Sequence, residues 1–247
     1  MILAIDIGNT SIHVGLFKGR TLRRQFSLPT RMARSAGKLR RRLRIGSATE
    51  AVVCSVVPWA TPVVVRTLRA AGCRRVRVVG RDLRVPIKNR YRNPRQVGQD
   101  RLVGAYAAWR AYRRDCIVVD FGTAITIDVV TKKGEYLGGV IAPGLSISLE
   151  ALATRTALLP KVDLREPPEL LGRDTSNSIR SGLLFGCVAL CDGLVTQLKR
   201  RYAPKAVVVA TGGASSLIAK HAHTIDHLRP NLVLEGLYCL SAPPSKK

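Results

Sequence analysis

The clearest pattern in the sequence is a short apolar run that ends at an aspartate and a glycine. Residues 2–7 form such a run before Gly8, which predicts a buried strand followed by a turn. Apolar residues at positions 12, 14 and 16 then alternate with other residues, so we expect a second strand that returns as a hairpin. The same arrangement recurs at residues 116–123 and continues into alternation at 125, 127 and 129.

The two copies align without gaps. When Ile5 to Thr10 is placed over Val119 to Ala124, the Asp and the Gly of each coincide at a spacing of 114 residues. This internal repeat predicts two similar halves, each opening with a β-hairpin. We expect a first domain over residues 1–110 and a second over 111–247, divided in a helix from about 100 to 114.

The remaining segments complete an α/β pattern. Helices are predicted near residues 31–44, 61–71 and 183–198. Buried strands are predicted at residues 51–57, 76–79 and 206–210.

Composition narrows the class of protein. The 247 residues are 46% hydrophobic and 23% charged, which is typical of a soluble globular protein with a core. No unbroken apolar run approaches the roughly 18 residues of a membrane span, and the start of the chain lacks a basic leader. Six scattered cysteines do not suggest a disulfide scaffold. We therefore expect a cytoplasmic protein that has no membrane partner.

The formal net charge of +25 is unusual, and residues 1–99 account for most of it, with 22 Lys or Arg against three acids. Such a charge attracts polyanions. The basic residues do not form one block, however, and few aromatic residues lie among them to stack bases. From the sequence, nucleic acid is therefore not expected to be the main partner.

A strand that ends in Asp-x-Gly has the chemistry of a phosphate site. Its carboxylate can hold a metal ion or the waters of that ion, and its glycine lets backbone N–H groups approach a phosphate. Asn9, Thr10 and Thr123 add side-chain donors, and a third glycine turn, Thr211-Gly212-Gly213, follows a buried strand. The two copies together predict a site that binds the phosphates of a nucleotide from two sides. Neither a Walker loop nor a Gly-x-Gly-x-x-Gly fingerprint occurs in the sequence.

These motifs, in their order, resemble those of the type III pantothenate kinases, members of the acetate kinase/Hsp70/actin-like ATPase superfamily. The resemblance spans the chain, and its segments are Asp6–Thr10, Gly98–Arg101, Asp120–Ala124, Gly138–Gly144, Leu149–Leu152, Thr156–Pro160, Thr175, Ser178–Gly182 and Thr211–Gly213. It implies two similar ribonuclease H-like domains, the actin-like ATPase fold, with the active site in the cleft between them.

The resemblance also implies roles at the nucleotide site. The residues that would bind ATP are Asp6, Ile7, Gly8, Asn9, Thr10, Ser11, Ile12, His13, Thr123, Gly212 and Gly213. Asp6 would lie near Mg²⁺ or another divalent cation. Asp120 would bind the monovalent cation, K⁺ or NH₄⁺, that the family requires.

For the second substrate, pantothenate, the implied binding residues are Tyr91, Gly98, Gln99, Asp100, Arg101 and Thr175. Asp100 would be the general base, and Thr175 would reach pantothenate from the partner subunit of a homodimer. Outside this motif set, an Asp-Arg pair is more often a helix N-terminal acid beside a surface arginine. One departure from the family pattern is Gly104, where asparagine is frequent.

The sequence is also compatible with other interpretations. A catalytically quiet relative that acts as a regulatory or accessory factor would carry the same fold. Cys187 and Cys191, four residues apart, suggest a metal pair or two buried thiols of a core helix, and the second interpretation is preferred. His221, His223 and His227 are interpreted as a polar surface.

Overall fold

The computed structural model describes residues 1–43 and 45–241. The chain forms two compact units. The first contains residues 1–107 together with the C-terminal segment from residue 232, and the second contains residues 108–231.

The first unit is built on a five-stranded sheet with the order β3-β2-β1-β4-β5. Its strands are β1 (Ile2–Ile7), β2 (Ser11–Lys18), β3 (Thr21–Pro29), β4 (Glu50–Ser55) and β5 (Arg75–Val78). Strands β1, β2 and β3 form an antiparallel meander, and β4 and β5 continue from β1 in parallel. The predicted hairpin at residues 2–18 is confirmed, and β3 was not anticipated.

Helices cover both faces of this sheet. They are α1 (Ala36–Arg42), α2 (Ala60–Ala70), α3 (Gln99–Tyr112) and α7 (Leu232–Ser241). On one face, Leu39 of α1 and Leu68 of α2 share a core with Leu3. On the other, Val103 of α3 and Leu237 of α7 share a core with other strand residues.

Residues 31–44 were expected to form one helix, and the structure breaks this segment in two. A 3₁₀ turn runs from Thr30 to Arg34, and α1 starts after Ser35. Ser35 is extended, and its hydroxyl accepts a hydrogen bond from the Lys38 backbone N–H, which is the usual way in which serine starts a helix.

The second unit repeats the opening of the first. Its strands are ordered β11-β10-β7-β8-β9 and are β7 (Cys116–Phe121), β8 (Ala124–Val130), β9 (Glu135–Pro143), β10 (Val207–Thr211) and β11 (His227–Leu228). A two-residue strand, β6 (Lys88–Asn89), precedes α3 in the chain. The helices of this unit are α4 (Leu145–Arg155), α5 (Thr175–Tyr202) and α6 (Ser215–Ile218).

The register confirms the predicted repeat. Asp6 is the penultimate residue of β1, and Asp120 is the penultimate residue of β7. Each strand pairs antiparallel with the strand that follows it in a hairpin and parallel with a later strand, so that Asp6 lies beside Cys54 and Asp120 lies beside Thr211.

The units differ from the predicted domains in one element. The sequence assigned everything after residue 110 to the second domain, whereas α7 belongs to the first unit. The physical reason is apolar packing, because Leu234 and Leu237 of α7 are buried against the first sheet. The predicted boundary at residue 110 lies three residues after the division between the units.

Helix α5 is long and apolar enough to cross a membrane by length and composition alone, a test that the core helix of a soluble protein also passes. Cys187, Cys191 and Val195 of α5 are buried in the core of the second unit.

Candidate active site

The turn of the first hairpin is held by hydrogen bonds from both sides. The Gly8 N–H donates to the Ser11 carbonyl at 3.0 Å. Thr30, which is buried, donates from Oγ1 to the Gly8 carbonyl at 2.6 Å and from its backbone N–H to the Thr10 carbonyl at 2.9 Å. The turn between β1 and β2 is therefore held in place by Thr30, which lies 22 positions after Gly8 in the chain.

A surface groove of about 560 Å³ opens at this turn, and its lining residues are Asn9, Thr10, Ser11, Ser27, Leu28, Pro29 and Arg31. The lining is rich in hydroxyl and amide groups, and Arg31 supplies a positive charge. Such donors suit the oxygens of a phosphate group. Ser27 and Arg31 were not anticipated from the sequence, since neither lies in the Asp-x-Gly motif.

Of the residues predicted at the nucleotide site, Ile7 and Ile12 have side chains in the core. Only their backbone groups are therefore available to a ligand. Asp6 and His13 are directly opposite each other on β1 and β2, and their side chains share one face of the sheet.

The Cys54 thiol is influenced both by Asp6, near the end of β1, and by Asp100, the predicted general base. Burial raises the pKa of the Cys54 thiol well above its usual range, and the negative charges of Asp6 and Asp100 raise it further. Both carboxylates therefore lie close enough to Cys54 to act on it electrostatically. The first unit thus brings together two aspartates that are separated by 94 residues in the sequence.

Asp100 occupies the first turn of α3. Its Oδ1 accepts a hydrogen bond from the Arg101 backbone N–H at 2.8 Å. Burial raises the pKa of the Asp100 carboxyl, and hydrogen bonds from the backbone together with the charge of Arg101 partly oppose this effect. The result is a half-buried carboxyl with greater affinity for a proton than an exposed aspartate has.

The residues before Asp100 make room for it. A Cβ atom added at Gly98 would overlap Asp100 Oδ1, so a side chain there would displace the carboxyl. The Gln99 side chain packs against Gly80, where an added Cβ would lie 3.0 Å from Gln99 Cδ. Tyr91 lies in the same unit, in the segment before α3, and its backbone N–H donates to Asn89 Oδ1 at 3.0 Å.

In the second unit, the turn at residues 122–123 is closed by the end of β9. The Gly144 N–H donates to the Thr123 carbonyl at 3.2 Å. A Cβ atom at Gly144 would overlap the carbonyl oxygens of both Gly122 and Thr123. Thr123 is half-buried in this turn.

The third glycine turn lies directly on Asp120. Gly212 has φ +91°, a conformation that favours glycine, and a Cβ there would overlap Asp120 Oδ1 and the backbone of Phe121. The Ala214 N–H donates to the Phe121 carbonyl at 3.2 Å, and Ser215 Oγ donates to the Gly212 carbonyl at 2.6 Å. The sequence suggested separate roles for Asp120 and for the glycine turn, and the structure brings the two into contact.

Comparison with known proteins decides the family. A family model described as type III pantothenate kinase matches residues 2–197. The chain belongs to the type III pantothenate kinase family. Two relatives of that name are those of Geobacter sulfurreducens, 41% identical over 97% of this chain and 98% of the relative, and of Syntrophotalea carbinolica, 40% identical with the same coverage.

Solved structures agree on the fold. A protein from Sinorhizobium meliloti described as a 2-dehydro-3-deoxygalactonokinase has a TM-score of 0.60 at 13% identity and covers 98% of each chain. The ethanolamine utilization protein EutJ from Carboxydothermus hydrogenoformans has a TM-score of 0.55 at 14% identity, covering 96% of this chain and 89% of that one. Together with the family match, these likenesses identify the actin-like ATPase fold.

Thr175, which the family resemblance assigns to pantothenate, is the exposed first residue of α5. Asp174 starts this helix, since its Oδ1 accepts a hydrogen bond from the Asn177 N–H at 2.8 Å. Thr175 belongs to the second unit, whereas Tyr91 and Gly98–Arg101 belong to the first.

The cysteine pair belongs to the core of this pantothenate kinase family member. Cys187 and Cys191 are buried in α5, and burial raises the thiol pKa of Cys187 to about 11 and of Cys191 to about 12. Over residues 1–43 and 45–241, no group of three or more His, Cys, Asp and Glu side chains could hold a metal ion. The prediction of core thiols is confirmed.

Proposed function

We propose that this protein transfers the γ-phosphoryl group of ATP to the primary hydroxyl of pantothenate, giving 4′-phosphopantothenate and ADP on the path to coenzyme A. Membership of the type III pantothenate kinase family supports this reaction. The structural observation that carries it is the register of the first sheet, which places Asp6, near the end of β1, beside Cys54. Asp100, in the first turn of α3, lies close enough to the same thiol to raise its pKa.

In this proposal the first hairpin turn binds the ATP phosphates. The groove beside it offers the hydroxyls of Thr10 and Ser11, the amide of Asn9 and the guanidinium of Arg31. Phosphoryl transfer passes through a loose transition state and asks the protein mainly for positioning and charge stabilisation. The hydrogen bonds of Thr30 to this turn supply the rigidity that positioning needs.

Asp100 acts as the general base. It accepts the proton of the pantothenate hydroxyl as the oxygen attacks the γ-phosphorus, and ADP leaves with the electrons of the broken bond. Burial raises the pKa of Asp100, and this makes the carboxylate a better proton acceptor. Arg101, the next residue, suits the carboxylate of pantothenate.

The residues fit the cations that the family uses. Asp6 offers the carboxylate oxygens that Mg²⁺ prefers, either directly or through water. Mg²⁺ supplies neutralisation of phosphate charge when it is bound. Asp120, held under the Gly212 turn, would bind K⁺ or NH₄⁺. We further propose a cytoplasmic homodimer in which Thr175 of each subunit contacts the pantothenate of the other.

The test is release of ADP from ATP with and without pantothenate, in matched potassium and sodium buffers. We expect release that requires pantothenate and is faster in potassium. Asp100→Asn should lower turnover by about 10²- to 10⁴-fold. Asp82→Asn is the matched control, since Asp82 pairs with Arg81 on the surface of the same unit and has no proposed role.

The possible failures are distinguishable. Near-native turnover of Asp100→Asn would reject Asp100 as the general base but would leave the proposed kinase activity in place. Equal rates in both buffers would reject the cation site. No pantothenate-dependent release by the unmodified protein would reject the activity and favour the catalytically quiet relative.

A further inference from the structure

The helical layer on one face of the first sheet carries an unusual concentration of positive charge. This layer consists of the 3₁₀ turn Thr30–Arg34 and helices α1 and α2, which pack against one another. Seven of its basic side chains are exposed, and we call them the basic face: Arg34, Lys38, Arg40, Arg41, Arg42, Arg66 and Arg69. Arg31 is left out because it lines the groove at the first hairpin turn.

Packing explains why these residues share a surface. Leu39 of α1 and Val64 and Leu68 of α2 are fully buried in the core beneath the layer. Side chains on the opposite side of each helix must then face solvent. In the sequence the two basic groups are interrupted by β4, which is why they did not appear as one block.

Little negative charge opposes the basic face. Between Asp6 and Asp82 the sequence contains a single acidic residue, Glu50, which pairs with Arg77 at 3.6 Å. Within the described ranges, none of the seven side chains forms an ion pair with an acid. Their mutual repulsion is relieved by salt or by a polyanion.

The chemistry of the face favours nucleic acid over a lipid surface. Six of the seven side chains are arginines, whose guanidinium groups bind phosphate oxygens in pairs. Trp59, at the start of α2, is 46% exposed, and the Arg34 guanidinium lies 5.6 Å from its ring centroid. In the described part of this layer, Trp59 is the only large hydrophobic residue that is exposed, whereas an interfacial helix needs an apolar face.

We propose that the basic face binds single-stranded nucleic acid, with its arginines on successive phosphates and Trp59 stacked on a base. This binding site is separate from the proposed kinase activity and does not depend on it. An exposed indole beside a guanidinium suits an unpaired base, since the bases of a duplex are already stacked.

The test is fluorescence anisotropy of a labelled oligothymidylate of about 20 nucleotides, titrated with the full-length protein at about 50 to 200 mM KCl. We expect binding that weakens steeply with salt. The triple variant Arg40→Gln, Arg41→Gln, Arg66→Gln should lower the slope of log K against log[salt] by about 2, since each lost contact to a single strand removes about 0.7. Trp59→Leu should weaken binding roughly tenfold and leave that slope unchanged.

The matched control is the triple variant Arg200→Gln, Arg201→Gln, Lys205→Gln, which removes the same charge from exposed positions of the second unit. It should bind like the unmodified protein. Equal weakening by both triple variants would overturn the proposal, because it would indicate a diffuse charge effect. Competition by excess MgATP would also overturn the proposal, because it would show that the oligothymidylate binds at the nucleotide site.

Two further results would overturn the proposal. One is the absence of oligothymidylate binding at the lowest salt. The other is binding to phosphatidylglycerol vesicles at protein concentrations that leave the oligothymidylate free, which would assign the face to a membrane surface. Circular dichroism of each variant confirms that the comparison is made between folded proteins.

Discussion

At the residue scale, Asp100 shows how an environment changes an ordinary side chain. The sequence predicted its identity as a catalytic residue through a resemblance. It did not predict the neighbouring Cys54 thiol, the close approach of Gly98 or the burial of the carboxyl. These features depend on residues 40 or more positions away or on the course of the backbone, and no local pattern encodes them.

This environment makes a testable prediction about stability. Because burial raises the pKa of Asp100, the folded protein binds a proton more tightly than the unfolded chain does. Stability contributed by that proton is present at low pH and lost as pH rises through the raised pKa. Asp100→Asn, which has no charge to bury, should therefore raise the melting temperature at about pH 8 while abolishing most activity.

The measurement is thermal unfolding of both proteins at about pH 5 and pH 8. The difference in melting temperature should shrink at the lower pH, where the native aspartate gains protons. In the pH profile of kcat/KM, the midpoint of the acid limb should likewise lie above the pKa of about 3.9 of an unperturbed aspartate. A variant that is less stable at both pH values would contradict this account of the Asp100 environment.

At the element scale, the first hairpin is defined by more than its own two strands. The apolar run at residues 2–7 predicted β1 correctly because that strand is buried on both faces, and the alternation at positions 12, 14 and 16 predicted β2. The geometry of the turn, however, depends on Thr30, which follows β3 and was not singled out in the sequence. A side chain that donates to a backbone carbonyl 22 residues away leaves no periodic signal.

We predict that Thr30→Val weakens both this turn and nucleotide binding. The substitution keeps the shape of the side chain but leaves the Gly8 carbonyl without the Thr30 hydroxyl donor. The free energy of unfolding should fall by about 1–3 kcal/mol, and the KM for ATP should rise. Urea unfolding and steady-state kinetics measure these effects.

Thr30→Ser provides the control, because it retains the hydroxyl and loses only a methyl group. It should keep a KM for ATP close to that of the unmodified protein. If valine and serine raise this KM equally, the hydrogen bond to Gly8 is not what holds the turn.

At the scale of the whole molecule, the first unit includes a helix from late in the chain. Helix α7, at the end of the described sequence, packs on the same face as α3. Gly236 makes this packing close, since a Cβ added there would lie 2.8 Å from Val103 Cγ1 and 3.1 Å from Ala107 Cβ. The first unit is therefore made from two ends of the chain.

We predict that Gly236→Ala destabilises the protein by about 1–3 kcal/mol through overpacking, despite the better helix propensity of alanine. Gly193→Ala in α5 is the matched control, because an added Cβ there meets nothing within 4 Å. It should leave stability unchanged or raise it by up to about 1 kcal/mol. Denaturant unfolding measures both, and equal effects would contradict the packing of α7 against α3.

The sequence predicts the repeated hairpins, the positions of Asp6 and Asp120 and most of the core strands. These follow from local periodicity and from turn residues, which act over a few positions. Three features became visible only in the folded chain: α7 belongs to the first unit, Gly212 lies on Asp120, and the arginines of α1 and α2 share one surface. Each of these depends on which distant segments bury their apolar sides together, and that choice is made by packing across the whole fold.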